Sequence, residues 1–153
     1  FYYNPNIYPA EEYAHRVAEQ QNLIAQMPAK YPVSFIEGVN DPAVFYNMVS
    51  GYESLKEGGA RCFLCYEMRL RETAMLAKKQ NFDYFTTTLT LSPLKNSAKI
   101  NEIGEKLSKE FDVNYLFSDF KKRGGYLRSI ELSKQYNLYR QNYCGCEFSQ
   151  KFV

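Results

Sequence analysis

Tryptophan is absent, histidine occurs once, and there are only four cysteines among 153 residues. The single histidine, His15, sits beside Arg16 in a helix-like stretch. It reads as a solvent-facing side chain and is a poor basis for a Ser/His catalytic arrangement. No G-x-x-x-x-G-K-[ST] or G-x-G-x-x-G occurs, which excludes phosphate-cradling loops of those types. No apolar run approaches the ~20 residues needed to span a bilayer. No basic segment followed by an apolar run reads as a secretory signal. Net charge is small: 19 Lys plus Arg against 17 Asp plus Glu leave +2. Repeats and low-complexity tracts are also missing. The chain opens at Phe1 without methionine, directly into a strand-like FYY, which suggests a segment upstream of it.

What is present suits one globular domain over 1–153 with room for a sizeable core. Hydrophobic residues make up 45% and aromatics 16%, including 14 Tyr and 11 Phe, too many for a disordered chain. Charge is uneven along the chain. Residues 1–94 hold 8 basic and 10 acidic groups, whereas residues 95–153 hold 11 basic and 7 acidic. The mildly basic second part is compatible with phosphate contacts without establishing them.

Hydrophobic periodicity predicts strands alternating with helices. Strand-like segments are FYYN (1–4), VSFIEG (33–38), FDYFTTTLTL (82–91) and VNYLFS (113–118). Helices are expected over 10–27, with Tyr13, Val17, Ile24 and Met27 on one side, and from Asp41-Pro42 to about Gly51. Further helices are expected over 62–80, 97–111 and roughly 126–137. The alternation argues for an α/β fold with a mostly parallel sheet and flanking helices. In such sheets the loops beyond the strand carboxyl ends build the ligand site. That rule selects NPNIYP (4–9), the segment after Gly38, SPLKN (92–96) and SDFKKRGG (118–125).

The cysteines form two close pairs, Cys62-x-x-Cys65 and Cys144-Gly145-Cys146. Disulfides are the weakest reading, because such frameworks belong to small secreted chains. Four thiolates suit a closed zinc site or a [4Fe–4S] cluster, and spacing alone leaves these two open. Cys62 and Cys65 at i and i+3 share a helix face, in a first turn where the helix dipole favours negative charge. Gly58-Gly59 offers close backbone approach, and Gly145 lets the C-x-C backbone fold both thiolates toward one point.

Asp119 follows a strand and precedes Lys121, Lys122 and Arg123. A carboxylate there suits a metal ligand or proton donor; its bland role is to cap the loop or pair with those bases. Ser92, Lys95 and Asn96 suit a phosphate or polar substrate. The NPNIYP loop contributes Asn4, Asn6 and Tyr8 as further substrate-binding candidates. Tyr8, Tyr13, Tyr126, Tyr139 and Tyr143 occur beside Arg16, Arg128 and Arg140, a combination suited to base stacking and phosphate contact.

Several segments together resemble one family, the cobalamin-independent epoxyqueuosine reductases of the QueH type. They are YYNPNIYPAEEYAHR (2–16), EGGARCFLCYEMRLRETA (57–74), FDYFTTTLTLSPLKN (82–96), SDFKKRGGYLRSIELS (118–133) and YRQNYCGCEFS (139–149). The resemblance implies an α/β fold of the adenine-nucleotide α-hydrolase-like (HUP-like) class. It implies reductive deoxygenation of epoxyqueuosine to queuosine at the wobble position of tRNA, in the cytoplasm, with electrons from an external donor. It implies a [4Fe–4S] cluster and a neighbouring iron or other divalent metal, which favours Cys62, Cys65, Cys144 and Cys146 as metal ligands. Asp119 then becomes a second-metal ligand or the proton donor to the departing oxygen. Lys95, Lys121, Arg123, Arg128 and Arg140 become candidates for phosphate contacts with the anticodon stem-loop. Family members carry a vicinal Cys-Cys pair after an earlier strand. No such pair occurs here, so the resemblance makes this chain a shortened form lacking its first strand. Two other readings are a zinc-stabilised RNA-binding module without redox activity and a C-x-x-C thiol oxidoreductase.

Overall fold

The computed structural model describes residues 1–150. The chain is α/β, and its described residues fall into two compact units. One is Val49–Ser129; the other combines Phe1–Met48 with the described residues from Ile130 onward.

The Val49–Ser129 unit is a parallel β-α-β arrangement against a long helix. The α-helices among the described residues are α1 (Ala10–Gln26), α2 (Pro42–Val49), α3 (Ala60–Lys79), α4 (Ser97–Phe111) and α5 (Gly125–Gln135), and the strands are β1 (Tyr84–Phe85) and β2 (Asn114–Tyr115). The strands pair in parallel with Tyr84 opposite Asn114 and Phe85 opposite Tyr115. The crossover between them is a 3-10 turn, Thr88–Leu91, followed by α4. Tyr66, Leu70, Ala74 and Ala77 of α3 pack with Ile100, Ile103 and Leu107 of α4, and with Phe85, Val113 and Tyr115 from the strands. The expected three-and-four spacing in α4 is therefore its core stripe. Asn96 caps α4 by accepting the Lys99 amide at 3.0 Å, and Asp112 closes it in the left-handed region at φ 51°.

The strands are much shorter than the sequence predicts. In 82–91 only Tyr84–Phe85 is strand. The Thr87 hydroxyl accepts the Leu89 amide at 3.2 Å and turns the chain into the 3-10 segment, so a local hydroxyl bond displaces the ladder. In 113–118 the ladder reaches only as far as the Leu116 amide, which donates to the Phe85 carbonyl at 2.9 Å. Beyond it Asn101 of α4 replaces a strand partner: its Nδ2 donates to the Ser118 carbonyl at 3.0 Å and its Oδ1 accepts the Ser118 amide at 3.3 Å.

In the other unit, the expected strands 1–4 and 33–38 reduce to one parallel bridge, Tyr2 with Glu37. Its bonds are Tyr2 amide to Ile36 carbonyl at 2.8 Å and Gly38 amide to Tyr2 carbonyl at 2.9 Å. Pro5 lacks an N–H to continue the ladder. A Cβ on Gly38 would sit 2.8 Å from the Tyr3 ring, so glycine is required where the aromatic segment crosses. Of the apolar residues expected on one side of α1, only Tyr13 is buried, and its hydroxyl donates to Glu37 at 3.0 Å. Burial and that carboxylate push the Tyr13 phenol well above its ordinary range. Asp41 caps α2 as expected, accepting the Ala43 amide at 3.0 Å. No helix among the described residues is long and apolar enough to cross a membrane.

Candidate functional site

In the Val49–Ser129 unit the segments leaving β1 and β2 are tied to one another. Thr90 is fully buried; its hydroxyl lies 3.2 Å from that of Ser118 and accepts the Phe120 amide at 3.3 Å. Next to this tie stands a polar cluster. Asp119 Oδ1 accepts the Ser97 hydroxyl at 2.9 Å and pairs with Lys121 Nζ at 2.8 Å, while Oδ2 pairs with Lys122 at 3.3 Å. Lys121 also donates to the Ser97 hydroxyl. The Lys121 hydrogen bond, helped by Ser97 and Lys122, holds the Asp119 carboxyl down at about 2. Asp119 is thus an ionised acceptor at neutral pH. The carboxylate pairs with the bases that follow it, Lys121 and Lys122.

The cysteines of this unit stand at the start of α3. The helix begins at Ala60, two residues earlier than the sequence predicts, so Cys62 lies in the first turn and Cys65 opens the second. Cys62 is buried and accepts the Gly58 amide on Sγ at 3.2 Å; Cys65 is half-buried. Gly58 takes φ +86°, a conformation that suits glycine. Lys95 is nearly buried and pairs with Glu57 at 3.2 Å, which commits it to the loop before α3. The Ser92 hydroxyl accepts the Leu94 amide at 3.3 Å and shapes the turn. Arg123, at φ 51°, and Arg128 are exposed.

In the other unit the segment Asn4–Ile7 is buried throughout, which is unusual for a loop. Asn6 Oδ1 is buried without a hydrogen-bond partner among the described residues. The C-x-C segment lies against this loop, with the Tyr8 amide donating to the Gly145 carbonyl at 2.8 Å and the Tyr143 hydroxyl to the Tyr8 carbonyl at 2.5 Å. The Tyr8 ring itself is exposed. Arg16, paired with Glu12 at 2.7 Å, donates to the carbonyls of Cys144 at 3.2 Å and Tyr143 at 3.5 Å. Its guanidinium also lies 5.3 Å from the Tyr143 ring centroid. Gly145 adopts φ +126°, where a Cβ would crowd Arg16 and Ile7 at 3.1 Å. Cys146 is buried, with Sγ 3.6 Å from the Ser149 hydroxyl. Glu147 accepts the Tyr46 hydroxyl at 2.7 Å, and that phenol is pushed up to about 12, chiefly by burial. Arg140 is exposed, and His15 is exposed with its ring 4.4 Å from Tyr139.

Asn4, Asn6, Tyr8, Arg140, Cys144 and Cys146 therefore belong to one unit. Cys62, Cys65, Ser92, Lys95, Asp119, Lys121, Arg123 and Arg128 belong to the other. None of the four cysteines forms a disulfide among the described residues. Among the described residues no group of three or more His, Cys, Asp or Glu side chains is gathered as a metal site. Sequence reasoning missed Ser97, Thr90 and Asn101. The Asn96-Ser97 helix start was a usable signal for Ser97, but nothing local marks the other two. Arg16, which the sequence groups with the tyrosines suited to base and phosphate contact, holds the C-x-C backbone.

The family model described as "Epoxyqueuosine reductase QueH" matches residues 1–152. The chain is 45% identical to "Epoxyqueuosine reductase QueH" of Staphylococcus aureus strain Mu50, covering 97% of this chain and 64% of that protein. It is 42% identical to the protein of the same name from Streptococcus pyogenes serotype M1, covering 99% and 60%. The protein of that name from Thermotoga maritima is 38% identical, with coverage of 97% and 77%. The chain thus spans somewhat under two thirds of the first two relatives. With the family's match running from the first residue through both cysteine pairs, the chain belongs to the epoxyqueuosine reductase QueH family.

Proposed function

We propose that this chain is the metal-binding catalytic domain of an oxidoreductase that converts epoxyqueuosine to queuosine at the wobble position of tRNA. The observation that carries the reading is the family match over residues 1–152, which includes every cysteine and the Asp119–Lys121 segment. The parallel β-α-β unit, with its polar cluster beyond the strand carboxyl ends, is consistent with a HUP-like fold. A cytoplasmic location follows from a tRNA substrate.

The net reaction takes an epoxide, two electrons and two protons to an alkene and water. Cys62, Cys65, Cys144 and Cys146 are the proposed metal ligands. Their fit rests on donor chemistry: four cysteines outside any disulfide, each pair beside a glycine at positive φ, with an amide already directed at Cys62 Sγ. When bound, an iron–sulfur cluster supplies single electrons from an external reductant, and a neighbouring divalent metal is a second expected group. The chain's own residues do the rest. Lys121 holds a proton at Nζ, positioned by Ser97 and the ionised Asp119, ready for the departing oxygen. Asp119 suits the role of metal ligand or anchor better than that of acid. Arg123, Arg128 and Arg140 are exposed cations suited to phosphates of an anticodon stem-loop. Asn6, with its orphaned buried oxygen, suits a donor group on the substrate.

Anaerobic reconstitution with iron and sulfide tests the metal assignment. The expected result is brown protein with thiolate-to-iron absorption that is lost in the Cys62→Ala/Cys65→Ala variant. Colourless protein holding stoichiometric zinc would support the RNA-binding alternative instead.

A further inference from the structure

The loop before α3 is held with more precision than its exposed sequence, YESLKEGG, requires. Arg61 is the second residue of α3 and is 3% exposed. Its Nη1 donates to two loop carbonyls, Glu53 at 2.5 Å and Leu55 at 2.6 Å. Burying a guanidinium is costly unless acceptors surround it, and two carbonyls of this loop serve as such acceptors. The loop has internal ties as well: the Leu55 amide reaches the Tyr52 carbonyl and the Gly59 amide the Lys56 carbonyl, both at 3.2 Å. Lys95 holds Glu57 from the segment after the 3-10 turn. At the end of this loop Gly58, at φ +86°, directs its amide to Cys62 Sγ at 3.2 Å.

We infer that Arg61 is a positioning residue: by clamping the 53–55 carbonyls it fixes the loop so that the Gly58 amide donates to the sulfur of Cys62. The clamp therefore acts on the sulfur of Cys62, in the first turn of α3. Where a thiolate binds iron, an N–H directed at sulfur stabilises the reduced, more negative state and raises the reduction potential. This consequence rests on the proposed metal role of Cys62, whereas the clamp itself does not.

The test uses two variants of the whole chain. Arg61→Lys keeps the charge but its ammonium ends one bond short of the Nη1 that donates to both carbonyls. Glu57→Gln, on an exposed side chain, releases the Lys95 tether and leaves the core untouched, so it remains informative if Arg61→Lys folds poorly. In the metal-free protein, amide hydrogen exchange at Gly58 is expected to speed up about tenfold or more in Arg61→Lys and by less in Glu57→Gln, while Leu107 in the core stays protected. Iodoacetamide labelling, read by mass spectrometry, is expected to accelerate at Cys62 with little change at Cys65. In the iron-loaded protein the reduction equilibrium is expected to shift toward the oxidised form by up to tenfold, about 59 mV for one electron. Unchanged Gly58 exchange and Cys62 labelling in folded variants would overturn the clamp. The first two measurements need no metal, so a chain that takes up no iron refutes the metal assignment while the clamp is still decided.

Discussion

Gly104 offers the sharpest test of how the β-α-β unit is packed. It lies mid-way along α4, where glycine costs a helix about 0.5–1 kcal/mol relative to alanine. By helix propensity alone, Gly104→Ala stabilises the protein. The packing reverses the sign, because a Cβ at this position would run into the Tyr115 ring. That ring is in the core, 5.1 Å from Phe85, and its hydroxyl donates to Asn101 at 2.9 Å. Overpacking of this kind costs ~1–3 kcal/mol, and losing the Tyr115–Asn101 bond adds ~0.5–1.5 kcal/mol. Less the propensity gain, the net destabilisation is about 2 kcal/mol, within roughly 0.5–4. For a chain of this size that lowers Tm by roughly 2–4 °C per kcal/mol. Urea and thermal unfolding measure it. The double variant Gly104→Ala/Tyr115→Leu is expected to recover part of the loss, because the ring is the obstacle. A Gly104→Ala protein more stable than the parent by 0.5–1 kcal/mol, as propensity alone gives, would refute the packing of α4 on Tyr115.

Three further outcomes are expected. Asp119 has a folded pKa depressed to about 2 from an ordinary 3.8, so its pairing stabilises the fold above about pH 5 and is lost as pH falls toward 2. Asp119→Asn should therefore be less stable than the parent at neutral pH by an amount that shrinks as pH falls from about 5 through about 2, and a constant difference across that range would contradict the ion pair. Arg16→Leu removes two donors to the Cys144 and Tyr143 carbonyls; faster alkylation of Cys144 and Cys146, with Cys62 unchanged, is the expected readout by mass spectrometry. Thr90→Val keeps the volume but leaves the Ser118 hydroxyl and Phe120 amide short of a partner, which should cost ~1–3 kcal/mol in chemical unfolding.

The helices were legible in the sequence because their signals are local. The Ile100, Ile103, Leu107 stripe, the Asp41 cap and the glycines before α3 each act within a few residues. The strands were overread for the converse reason. Aromatic and β-branched content marks chain able to extend, but ladder length depends on partners far away in sequence. Thr87 diverts one strand with its own hydroxyl, and Asn101 takes over the backbone of the other. The same divide runs through the candidate site. Cysteine spacing and the Asp119–Lys121 run are visible in one dimension. The Ser97 hydroxyl between Asp119 and Lys121, the Arg16 bonds to the C-x-C carbonyls and the Arg61 clamp join residues by geometry that spacing does not encode. The division of the candidate residues between two compact units is likewise a property of the folded chain.

The most direct test of the central claim is the fate of the modified nucleoside. The chain, loaded anaerobically with iron and sulfide, is incubated with tRNA carrying epoxyqueuosine and a chemical reductant, and the digested nucleosides are weighed by mass spectrometry. The account expects conversion to queuosine, a loss of one oxygen atom, that fails with Cys62→Ala or Cys146→Ala and slows with Lys121→Met. Epoxyqueuosine left intact by iron-loaded protein, or converted equally well by the cysteine variants, would contradict it.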